Sequence, residues 1–85
     1  MKENKNLEWK EKVTPQYLKT VSAFSNYEGG TILFGINDQG KVVPLSDPYK
    51  TCLDIENQIN DNIQPQPDYA LEVLDNSTIE LHVQK

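Results

Sequence analysis

Six consecutive residues, Thr31 to Ile36 (TILFGI), form the most apolar run in the chain. Without a polar alternation they read as a strand covered on both faces, not as one with a wet side. The flanks of this run set what surrounds it. Gly29 and Gly30 precede it, where a helix must end and the chain must reverse, and glycine readily takes the positive φ of a helix C-cap. Asn37, Asp38, Gln39 and Gly40 follow as a polar turn closing on glycine, the usual connection into a hairpin partner, here Val42 and Val43. The stretch from Phe24 to Gly40 therefore supplies a helix end, a central strand and a tight turn. Chemistry is expected at its far end, near Asp38.

The remaining elements fall around this centre. Leu7 and Trp9 alternate with Glu8 and Lys10 at the period of a half-buried strand, with Leu7 and Trp9 expected to face the core and Glu8 and Lys10 the other side. Thr14 followed by Pro15 reads as a helix start with Thr14 as its cap. That helix carries an apolar stripe of Tyr17, Val21 and Phe24, beside Leu18, and ends near Asn26. Pro44 limits the strand after the turn, since proline cannot donate to a ladder. Ser46 or Asp47, with Pro48, opens a second helix whose inner face is Tyr49, Cys52, Ile55, Ile59 and Ile63; Gln64 and Pro65 end it. Asp54, Asn57, Asn60 and Asp61 form its solvated side. Two alternating runs, Tyr69 to Val73 and Ile79 to Val83, joined by Asp75, Asn76 and Ser77, read as a closing hairpin. The expected fold is a small two-layer α/β (α+β) domain, a mixed sheet with two helices on one face, in the order β-α-β-β-α-β-β.

With 85 residues the chain is long enough for one domain and one modest core. A single cysteine, Cys52, excludes an internal disulfide and any thiolate metal cluster, which fits a reducing, cytoplasmic compartment. No apolar stretch approaches the ~20 residues of a membrane span, and the charged amino end does not read as a signal peptide. The chain stops just past Val83 without a terminal cap, so residues 1–85 are expected to be excised from a longer protein with a further C-terminal domain.

The net charge of −5 argues against a simple phosphate-binding module. The cations are polarised, however. Lys2, Lys5, Lys10, Lys12 and Lys19 precede Val21, leaving Lys41, Lys50 and Lys85 for all the rest, and there is no arginine to read guanine with a bidentate fork. Lys5, Lys10 and Lys12 are the candidates for following a phosphate backbone; a merely solvated amino end is the alternative. Glu8, Lys10 and Asp38 also admit two readings. Carboxylates held together favour a hard divalent cation, and a nearby lysine stabilises charge on a phosphoryl oxygen. Equally, Glu8 and Lys10 read as neighbours on a solvated strand face and Asp38 as a turn residue. Gly29 and Gly30 follow a helix and precede a strand, the reverse of a phosphate-cradling loop, so a structural role is expected. His82 reads as solvated and Cys52 as packing.

Glu3-Asn4-Lys5-Asn6-Leu7-Glu8-Trp9-Lys10 resembles the pattern E-S-x-x-L-E-F-K. Val21 to Asp38 (VSAFSNYEGGTILFGIND) resembles A-F-A-N-x-x-G-G-x-L-x-x-G-V-x-D. Together they are similar to the Alba-like domain of Schlafen proteins, found in bacterial transcriptional regulators described as DNA-binding. The resemblance implies a nucleic-acid-binding module with DNA or RNA as partner. In some Schlafen members a Glu, Glu, Asp cluster cleaves structured RNA with a metal. By motif position it implies Glu3, Glu8 and Asp38 as catalytic and metal-binding residues, with Mg or Mn as cofactor. A third expectation is an oligomerisation or sensor domain, in the simplest case a homodimer formed through an exposed edge strand.

Overall fold

A computed structural model describes residues 4–85. Its elements are β1 (Leu7–Lys10), α1 (Tyr17–Asn26), β2 (Gly30–Phe34), α2 (Pro48–Asn62), β3 (Tyr69–Val73) and β4 (Ile79–Val83). The four strands form one mixed sheet in the order β1-β2-β4-β3, with β1 parallel to β2 and the other pairs antiparallel. Ile32 and Phe34 of β2, with Ile79, Leu81 and Val83 of β4, form the sheet side of the core. Tyr17, Val21 and Phe24 of α1, with Ile55 and Ile59 of α2 and the adjoining Ile63, cover them. Both helices thus lie on one face, as expected.

The central run behaves as a strand buried on both sides only as far as Phe34. Gly35 takes φ +94, and a β-carbon there would stand 3.1 Å from Thr78 Cγ2 and 3.2 Å from the Val43 carbonyl. The backbone leaves the sheet at that point. The expected partner strand at Val42 and Val43 shrinks to a single bridge, Ile36 to Val42. Val43 donates its N–H to Gly35, but Pro44 has no donor to offer, and Leu45 then bonds to the Ser77 carbonyl at 3.0 Å. The chain is drawn towards the β3–β4 turn instead of extending the hairpin.

Helix starts differ in kind. Asp47 caps α2, its carboxylate accepting the Lys50 N–H at 3.2 Å. At α1 the helix begins at Tyr17, without a side-chain cap; Thr14 contributes only its carbonyl, which accepts the Tyr17 N–H. Pro15 and Gln16 form a turn ahead of the helix. On α2 the apolar stripe narrows to Ile55 and Ile59, with Ile63 at the cap, while Tyr49 is 75% exposed and Cys52 half-buried. Tyr49 stands at the rim of the sheet, lining an open hollow beside Leu71 and Val73 of the edge strand β3, so correct spacing does not bury it.

The amino strand reverses one expectation. Leu7 pairs with Thr31 and Trp9 with Leu33, whereas Glu8 pairs with Ile32 and Lys10 with Phe34. Residues paired across a sheet share a face. Glu8 and Lys10 therefore stand on the helix-side face, and Leu7 and Trp9 on the face without helices. Period-two alternation separates the two sets but does not say which meets the core; on an edge strand the register decides. Trp9 covers Leu33, which is buried although it points away from the helices, and lies against Gly40.

Candidate nucleic-acid interface

β1 lies directly beside β2, so the first and second motifs are neighbours in space. The Lys10 carbonyl accepts the N–H groups of Gly35 (2.7 Å) and Ile36 (3.3 Å), joining the end of β1 to the bend that leads into the Asp38 turn. In that turn Asn37 Oδ1 accepts the N–H groups of Gln39 and Lys41, each at 3.0 Å. This leaves Asp38 exposed at the rim.

Glu8 and Lys10, two residues apart, point the same way. Lys10 Nζ is 3.7 Å from Glu8 Oε2, with the two side chains 26% and 34% exposed. That oxygen is itself buried and accepts no hydrogen bond. The pair is held by charge alone, beyond hydrogen-bond range. Lys12 is exposed past the end of β1. Lys5 is exposed before it, 3.4 Å from Glu28 in an ion pair whose partners are 78% and 61% exposed. Such a surface pair contributes little and is readily exchanged for another anion.

Glu3 lies outside the described residues. Among the described residues no three His, Cys, Asp or Glu side chains gather to hold a metal ion. Glu8 is half-buried on the helix side of β1, whereas Asp38 stands in an exposed turn.

The glycine pair is structural. Gly29, at φ +80, donates its N–H to the Phe24 carbonyl at 2.8 Å and so ends α1. His82 is exposed but not isolated. Its Nδ1 is 2.8 Å from Thr31 Oγ1 and its Nε2 reaches Glu80 Oε1, forming a polar chain across the face without helices.

Three residues escaped the sequence reading. A hollow of about 480 Å³ opens where α1 meets β2, lined by Lys5, Asn6, Tyr27 and Lys85 among others. Asn6 fixes one wall, donating from Nδ2 to the Gly29 carbonyl at 3.0 Å. Tyr27, just past the helix end, is 71% exposed. Lys85 reaches the same hollow because β4 runs antiparallel to β2, returning the carboxyl end to Gly30. Tyr27 had a visible signal, an aromatic residue outside the helical stripe. Lys85 had none, because only the sheet order brings it near Lys5.

The Schlafen, AlbA_2 family model matches residues 3–84. The chain belongs to the Schlafen AlbA_2 family. Membership points to a nucleic-acid-related function for the domain. No curated protein is matched by the sequence. No helix among the described residues is long and apolar enough to cross a membrane.

Proposed function

We propose that this AlbA_2 domain binds nucleic acid, as the DNA-contacting part of a transcriptional regulator, along the outer edge of β1. The observation that supports this reading is the line of cations there. Lys5, Lys10 and Lys12 follow one edge strand, and Lys85 and the exposed ring of Tyr27 extend the line at the Lys5 end. Lysines follow phosphates as point charges, and an exposed tyrosine offers a stacking face for an unpaired base. Without arginine the contact is with the backbone and not with base edges.

Anisotropy titration of labelled duplex DNA and hairpin RNA at stepped KCl concentrations tests this. Affinity falls with salt, and Lys12→Ala or Lys5→Ala each lowers the slope of log K against log salt by about 1. Binding to neither ligand at low salt, or a slope unmoved by both variants, sinks the proposal.

A second reading is a metal-dependent ribonuclease using Glu3, Glu8 and Asp38 with Mg or Mn. It is favoured by Glu8 Oε2, a buried carboxylate oxygen with no hydrogen bond to satisfy it. Cleavage of a hairpin RNA in Mn²⁺ that is lost in Glu8→Ala supports this reading; no cleavage, or cleavage undiminished in that variant, rules it out.

A further inference from the structure

The edge of the sheet opposite β1 has its own character. β3 is the last strand, and its side chains line three adjoining hollows of about 400, 480 and 520 Å³ running from Pro67 to Asn76. The middle one is apolar, formed by Tyr49 and Leu53 of α2 over Leu71 and Val73. Tyr49 and Leu53 are 75% and 58% exposed, a large apolar surface beside a strand whose outer edge pairs with no other strand among the described residues. Glu56, Asp68, Glu72 and Asp75 line the three hollows, and among the described residues no lysine or histidine does.

The backbone at this edge is set for pairing. The Leu74 N–H bonds to the Thr78 carbonyl, and the Gln84 N–H to the Asp68 carbonyl. Even-numbered residues of this strand therefore turn their polar groups towards β4, and antiparallel geometry turns those of Tyr69, Leu71 and Val73 outward. Ala70 and Glu72 present side chains on the face without helices, and Leu71 and Val73 on the helix side.

We propose that β3 is a docking edge for an extended basic segment of a partner protein, which adds a fifth strand to the sheet. Its apolar side chains fill the hollow between α2 and β3, and its alternate lysine or arginine side chains meet Glu72 and the neighbouring carboxylates. Strand addition takes affinity from main-chain hydrogen bonds and specificity from alternate side chains. A second copy of this chain is the poorer occupant, because pairing β3 with itself brings the same four carboxylates to one seam from both sides. The proposal is independent of nucleic-acid binding, which uses the other edge.

The test uses a labelled, acetylated heptapeptide alternating lysine and valine, with a glutamate–valine peptide as control. The lysine peptide binds, and on binding the amides of Tyr69, Leu71 and Val73 become protected from hydrogen exchange. Glu72→Lys, an exposed substitution that leaves the fold intact, weakens binding by about tenfold or more. Leu71→Pro removes an outward N–H without touching the β4 ladder and abolishes binding. Absence of binding, equal binding of the glutamate peptide, or exchange protection elsewhere overturns the proposal. So does concentration-dependent dimerisation abolished by Leu71→Pro without peptide binding, which assigns the edge to a second copy.

Discussion

Gly30 lies beneath the ring of Phe24, so close that a β-carbon at that position would stand 2.7 Å from two ring carbons. This contact seats the end of α1 on the first residue of β2. Because the ring is itself part of the core, it cannot swing into solvent to make room. Gly30→Ala is therefore expected to destabilise the domain by roughly 1–3 kcal/mol, the usual cost of overpacking. Gly29→Ala costs more, because there the obstacle is backbone, the Val83 carbonyl at 2.8 Å, and φ is +80. Urea midpoints at constant m-value measure both. A Gly30→Ala, Phe24→Leu pair that is less destabilised than the sum of its single variants assigns the cost to the ring.

Tyr17 is fully buried, edge-on to Phe34 at 5.3 Å between ring centroids, and donates its hydroxyl proton to Gln58 Oε1. Burial, followed by the nearby Tyr69 and Asp54, pushes its pKa up to about 12. The folded state then keeps a proton that the unfolded chain gives up near pH 10. Stability from this group is intact below pH 10 and is lost as pH rises towards 12, at about 1.4 kcal/mol per unit. Tyr69, also shifted upward by burial and by Glu56, adds to the same fall. In Tyr17→Phe the decline between pH 10 and 12 is shallower, although stability at neutral pH is lower by about 1 kcal/mol for the lost hydrogen bond. Identical alkaline slopes for the two proteins defeat this expectation.

Trp9 is the only tryptophan, and its ring ends 3.2 Å from where a Gly40 β-carbon would be. Its fluorescence thus reports on the turn carrying Asp38. Gly40→Ala forces an alanine to φ +78 against the indole, costing roughly 1–2 kcal/mol and shifting Trp9 emission to the red as the turn lifts. Gly40→Asn, which tolerates the left-handed region better, gives a smaller loss of stability. An emission spectrum unchanged in Gly40→Ala shows that the turn does not rest on the ring.

What the sequence made legible was whatever depends on neighbours in the chain. Ile32 and Phe34 announce a buried strand, Ile55 and Ile59 a helix face, and Asn76 with Ser77 a turn, because each signal is complete within a few residues. The two motifs around Glu8 and Asp38 disclosed the family for the same reason. The side of the sheet that Trp9 faces depends instead on how β1 slides along β2, a long-range pairing that alternation cannot fix. The hollow shared by Lys5 and Lys85 depends on β4 returning antiparallel to β2. The arrest of the central strand at Phe34 depends on Gly35 meeting Thr78, a residue distant in sequence, as well as the nearby Val43 carbonyl. The candidate interface is thus legible as a set of lysines and invisible as a shape.

The two proline-led helix starts look alike in sequence and differ in the structure, which gives a direct comparison. Asp47 accepts the Lys50 N–H and its carbonyl accepts from Thr51, so side chain and backbone both serve the first turn of α2. A carboxylate there also complements the positive end of the helix dipole. Asp47→Ala is expected to cost about 1 kcal/mol. Thr14 stands ahead of a turn, and its hydroxyl caps nothing in α1. Thr14→Ala keeps the carbonyl that receives the Tyr17 N–H and so stays within about 0.5 kcal/mol of the parent, the range of an ordinary surface change. Thermal or urea unfolding of the two variants separates these cases. Equal losses at both positions mean that Thr14 caps α1 in solution, with Pro15 as the first helical residue.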